Sequence, residues 1–132
     1  MHSTSALLLF VAAILCAEAF GGVAPDQGDL TGKWRLVVLH STWNVEFTPT
    51  SQKKLDRQLV HCDEGIREQK DKHGKDVTQE ICLWRKHKEG RLQASIGGIN
   101  CQAPFNDNSQ MLGECRISPN GPAVAFTATR MK

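Results

Sequence analysis

Residues 62–82 read CDEGIREQKDKHGKDVTQEIC, and residues 101–115 read CQAPFNDNSQMLGEC. Each stretch begins and ends on a cysteine and holds a turn-rich tetrad at its centre: Asp71-Lys72-His73-Gly74 in the first, Asn106-Asp107-Asn108-Ser109 in the second. In an antiparallel hairpin, residues equally far from the turn face each other with Cα atoms about 4.5–5.5 Å apart, within the reach of a disulfide. The spacing therefore predicts the bridges Cys62–Cys82 and Cys101–Cys115, and with them a stapled β-meander. Four cysteines allow three connectivities, and only this symmetry selects among them. The same spacings lack the C-x-x-C or paired-histidine pattern of a zinc site, so no metal is expected.

The N-terminus sets the compartment. Ala6 to Cys16 (ALLLFVAAILC) is an apolar core of signal-peptide length, followed by Ala17-Glu18-Ala19 as an A-x-A cleavage site. A membrane anchor takes about 20 apolar residues, and neither this run nor any other reaches that length. The expected organisation is a signal peptide over 1–19, a flexible Gly- and Pro-containing lead over 20–29 (FGGVAPDQGD), and one β domain over 30–132. Of the five cysteines in the chain, cleavage would remove Cys16 and leave an even number. An even count suits a secreted disulfide framework. Localisation is expected to be extracellular.

From Gly32 onward the apolar period is two. Trp34, Leu36 and Val38 share one face of a first strand; Trp43, Val45 and Phe47 alternate with polar residues in a second, after a reversal at His40-Ser41-Thr42. Leu59 to Gln69 and Lys75 to Arg85 form the first stapled hairpin, although the outer strand is polar enough that a helix over Gln52 to Asp71 is an alternative. Leu92, Ala94 and Ile96 alternate within a strand from Arg91 to Cys101, where Gly97-Gly98 reads as a bulge or sharp bend. Gln110 to Ser118 and Val124 to Met131 close the chain around the Asn120-Gly121 turn. Six or seven sequential strands indicate an all-β, antiparallel up-and-down meander. Closure into a small barrel, with the last strand near the first, removes the exposed edges.

The run Asp29-Leu30-Thr31-Gly32-Lys33-Trp34 resembles the start of calycin barrels such as lipocalins, avidins and small bacterial metalloprotease inhibitors. Leu30 to Trp34 and the segment Gly113-x-Cys115-x-Ile117-x-x-Asn120-Gly121-x-x-Val124 look most like avidins. The resemblance implies a barrel in which Trp34 plugs one end. It does not extend to biotin: no cysteine stands just before Leu30, Thr129 occupies the place of a ring-supplying tryptophan, the chain ends at Lys132 before an avidin's final strands, and tyrosine is absent.

No catalytic constellation is present: G-x-S-x-G and H-E-x-x-H are missing, and every mature cysteine is committed to a bridge. Asp63 and Glu64 are adjacent and point to opposite faces of a strand. His40, His61, His73 and His87 are scattered and read as solvated surface. No enzymatic activity and no cofactor are expected. Two basic tips occur, Lys70 to Lys75 and Arg85 to Arg91; in the second, Arg85, Lys86, Lys88 and Arg91 are candidates for holding a polyanion such as a glycosaminoglycan. Aromatics do not interleave these residues, which excludes a nucleic-acid surface. The leading expectation is a secreted binding protein that holds a small apolar or amphipathic molecule inside the barrel, touching Trp43, Val45, Phe47 and Trp84. The alternatives are an inhibitor or effector acting on an extracellular protein through its surface or its N-terminal lead, and a glycan-binding surface.

Overall fold

The computed structural model describes residues 30–131, apart from 56, 87–89 and 107–109. The expected signal peptide and lead, and Lys88, lie outside the described residues. The strands are β1 (Gly32–Val38), β2 (Ser41–Phe47), β3 (Gln52–Leu55), β4 (Gln58–Arg67), β5 (Thr78–Lys86), β6 (Arg91–Ile96), β7 (Ile99–Pro104), β8 (Gln110–Arg116) and β9 (Ala123–Met131). From β4 onward each strand pairs antiparallel with the next, β9 returns to β1, β1 pairs with β2, and β2 pairs with β4. The sheet is thereby a closed eight-stranded barrel, with β3 attached to the first half of β4.

Alternation decides which way each side chain points. Trp34, Leu36 and Val38, then Trp43, Val45 and Phe47, then Ile81 and Leu83, Leu92, Ala94 and Ile96, Phe126 and Ala128 all turn inward into one contiguous core, none more than 7% exposed. Trp34 is 1% exposed within it. Its indole Nε1–H donates to the Leu30 carbonyl at 2.8 Å. The ring is buried beside Leu30 and Phe47.

Both stapled hairpins form in the expected register. Cys62 faces Cys82 and Cys101 faces Cys115, with Cα separations of 4.1 and 3.9 Å. The two bridges sit on opposite sides of the wall. Cys101 and Cys115 belong to the buried interior set. Cys62–Cys82 alternates with the inward Ile81 and Leu83 and so faces outward, with Cys62 buried and Cys82 half-buried.

Four local expectations are corrected. Within Gln52 to Asp71 the described residues form the strands β3 and β4 rather than a helix, because β4 finds ladder partners on both sides. The first reversal is Leu39-His40, with Leu39 at φ 54°, and Ser41 already opens β2. Gly97-Gly98 is a two-residue hairpin turn joining two strands, not a kink in one; its φ values of 56° and 91° are left-handed, which glycine adopts without a Cβ penalty. His61 is fully buried rather than solvated: its ring meets Phe47 edge-on at 6.1 Å, and Nε2 accepts from the Leu30 N–H at 3.4 Å.

Candidate functional site in the barrel wall

The barrel closes imperfectly between β2 and β4, and Pro49 is the local cause. Proline has no N–H to give a ladder and its φ is fixed. After Phe47 the chain turns once through Pro49–Ser51 as a 3-10 helix with proline in its first turn, then resumes as β3. In the β2–β4 register, Trp43 faces Arg67 and Asn44 faces Ile66; in the β3–β4 register His61 faces Gln52, where uninterrupted pairing would have brought Pro49. Three residues are looped out, and the direct β2–β4 ladder consists of those two pairs alone. Such insertions characteristically occur at barrel rims and beside functional sites.

Polar contacts pin the seam at both ends. On one side, Glu68 accepts from Arg35 Nε at 3.0 Å, Arg35 Nη2 at 3.2 Å and Asn44 Nδ2 at 2.9 Å. The Glu68 N–H donates to Thr42 O, and Gln69 Oε1 accepts from the Thr42 N–H. The Asn44 amide, then Arg35, holds the Glu68 carboxyl below its ordinary pKa. On the other side, the Ser51 hydroxyl donates to Asp63 Oδ2 at 2.7 Å, and Ser51 Oγ accepts from the Thr48 N–H at 2.9 Å. The Ser51 hydroxyl, with the Glu64 N–H and the charge of Lys53 adding to it, lowers the Asp63 pKa against a small opposing effect of burial.

Between the pins lies a hollow of about 610 Å³ lined by Lys33, Trp34, Asn44, Val45, Glu46, Asp63, Glu64, Ile66 and Met131. It joins the two faces of the wall. Trp34 and Val45 belong to the inward set, as does Asp63 by its pairing with the fully buried Ile81; the others belong to the outer set. Asp63 is nevertheless exposed, because no strand covers it. Val45, Ile66 and Met131 supply apolar surface; Glu46, Asp63 and Glu64 place three carboxylates around it, with Lys33 the one cation in the lining.

The residues expected to touch a ligand are divided by the fold. Trp43, Val45 and Phe47 are inward and buried in the core. Trp84 is half-buried on the outer face, paired with Val60 and Gln93. Of these four, only Val45 reaches the seam hollow. Alternation also separates the basic candidates. Lys86 and Arg91 are cross-strand partners, but Arg85 turns the other way and lies 3.8 Å over the Phe105 ring. Asp63 and Glu64 do point to opposite faces, yet both border the hollow because the wall is open there. The seam escaped sequence reading because its clamps, Arg35–Glu68 and Ser51–Asp63, join residues 33 and 12 positions apart; Pro49 after an alternating strand was the available signal.

Among the described residues, no group of three or more His, Cys, Asp or Glu side chains is placed to hold a metal ion, and no helix is long and apolar enough to cross a membrane. No known family model, curated protein or solved structure matches the chain.

Proposed function

We propose that this is a secreted, non-enzymatic binding protein of calycin-like build that holds a small amphipathic molecule in the opening between β2 and β4. One observation carries the reading. The hollow of about 610 Å³ falls within the roughly 300–1,000 Å³ of small-molecule sites, and it combines apolar lining with a few convergent polar groups. The core supports this placement over carriage deep inside the barrel, since Trp43 and Phe47 are already packed against other side chains. The Leu30 to Trp34 start and the closed barrel support the calycin likeness. The leader and the two disulfides support secretion.

The lining also supports a particular ligand chemistry. An apolar body would rest on Val45, Ile66 and Met131. A cationic or proton-donating head would face Glu46, Asp63 and Glu64, where Asp63 is held ionised at neutral pH. Tryptophan emission provides the test, because Trp34 borders the hollow. Titration with a medium-chain alkylammonium is expected to give a saturable change, and a fatty acid of equal length a weaker one. Ile66→Ala and Asp63→Asn are expected to weaken the ammonium about tenfold, roughly 1.4 kcal/mol each. Absence of saturation with every apolar probe, with heparin retaining the protein at physiological salt, would sink the reading in favour of the basic surface.

A further inference from the structure

The opposite side of the barrel carries an outer row in strict register. Trp84 on β5 faces Gln93 on β6, Gln93 faces Gln102 on β7, and Gln102 faces Glu114 on β8. At strand spacing the row spans about 14 Å. All four residues are half-buried, whereas Arg91, Asn100 and Arg116 beside them are exposed. The row is therefore the floor of a trough. Two open depressions, of about 310 and 170 Å³, meet at Gln102 and Glu114; the smaller reaches Gln93, and Trp84 continues the row beyond it. Beneath the row, Gly113 turns inward between Met111 and Cys115; a Cβ there would overlap Gln102 O and Ala103, so β8 can approach β7 only without a side chain at that position.

The floor is polar and largely unspent. Gln102 Oε1 accepts from Arg91 Nη1 at 2.8 Å, which leaves its amide N–H groups open. The side chains of Gln93, Asn100 and Glu114, and the Trp84 indole N–H, make no hydrogen bond among the described residues. The trough thus offers amides that donate and accept, a carboxylate that only accepts, and guanidinium groups that only donate, next to an aromatic with an apolar face. Sugars match that combination, since their hydroxyls both donate and accept while their C–H faces are apolar. A polyanion would meet Glu114 in the middle of the floor. A partner protein's apolar patch would bury this polar row without partners, against the charge-poor core of a protein interface.

We infer that the trough over Trp84, Gln93, Gln102 and Glu114 is a carbohydrate-binding site that takes a neutral oligosaccharide along the row, independently of the seam hollow. The test exposes the disulfide-intact protein to immobilised neutral oligosaccharides built from glucose, mannose, galactose or N-acetylglucosamine, with heparin fragments as the polyanionic arm. Saturable binding to at least one neutral glycan is expected. It should weaken about tenfold in Trp84→Ala and about fivefold in Gln102→Ala, the loss of one stacking surface or one hydrogen bond. Trp84→Phe should retain most of the affinity, and Ile66→Ala, across the barrel, all of it. Melting curves establish that each variant is folded, and Gln93→Ala replaces Trp84→Ala should the latter not fold. Binding to heparin alone, binding to no glycan, or neutral-glycan binding indifferent to Gln102→Ala and Gln93→Ala would overturn the assignment. So would a dimer in light scattering that Gln102→Ala dissociates, since a second copy would then own the wall.

Discussion

Arg130 holds its guanidinium 4.9 Å from the centre of the Trp34 ring, and the two residues are direct partners across the β1–β9 ladder. The contact joins the first strand of the barrel to the last. The indole is thereby fixed by a hydrogen bond to Leu30, a cation on its face and the core beneath it. Trp34→Ala removes all three and leaves a large void, so a loss of about 3–5 kcal/mol is expected. Arg130→Ala should cost less, about 0.5–2 kcal/mol for the cation–π contact. Urea unfolding measures both. A soluble Trp34→Ala protein with an unchanged midpoint would refute the structural role.

The two disulfides are expected to separate under mild reduction. Each closes a loop, with sequence separations of 20 and 14 residues, and each contributes about 3 kcal/mol in the chain-entropy model. Access differs more than loop size. Cys101 and Cys115 are 2% and 1% exposed inside the barrel, while the outward bridge pairs Cys62, 7% exposed, with a half-buried Cys82. Thiol exchange needs an approach to sulfur. Cys62–Cys82 should therefore open first in native buffer, and Cys101–Cys115 only as the protein unfolds. Timed alkylation and mass spectrometry would show the order; simultaneous labelling of all four cysteines would contradict it.

Local patterns carried the fold, and long-range polar pairing concealed the site. Trp43-Asn44-Val45-Glu46-Phe47 alternates so regularly that its inward face was plain, and the symmetric cysteines gave the register of two hairpins. Trp84 left its face open because a tryptophan near a strand end suits either; the phase set by Ile81 and Leu83 turns it outward. Gly97-Gly98 was ambiguous since two glycines serve a bulge and a hairpin equally well. His61 lay in a polar segment, and it meets Leu30, just before β1, and Phe47 on β2.

Acid should weaken the seam before the core. The folded state lowers the pKa of Asp63 from an ordinary value of 3.8 and that of Glu68 from 4.5. A depressed carboxyl contributes stability that is complete above its ordinary pKa and is lost as pH falls from there through the folded value. With respect to these groups, the melting temperature should hold steady from neutral pH down to the ordinary carboxylate range and decline below it. Glu68→Gln and Asp63→Asn should each flatten that decline. The Glu68 share should also shrink in high salt, because its ion pair with Arg35 is exposed. Melting curves for both variants that track the wild type across the acid range would show that the clamps contribute nothing.

Gly65 offers the sharpest test of how closely β2, β4 and β5 pack beside the seam. It lies on the inward face of β4 directly under Ile81, whose side chain fills the space a Cβ would need. An added methyl would overlap Ile81 Cδ1 and come within 3.3 Å of the Asn44 carbonyl oxygen. Ile81 is fully buried and has nowhere to retreat. Gly65→Ala should accordingly destabilise by about 1–3 kcal/mol through overpacking, despite the usual gain from replacing glycine where its φ suits alanine. Ile81→Val removes the overlapping Cδ1, so the double variant should be more stable than the sum of the two single losses predicts. A double-mutant cycle by urea denaturation measures that coupling, expected at about 0.5 kcal/mol or more. Strict additivity would mean that Ile81 does not occupy the space above Gly65.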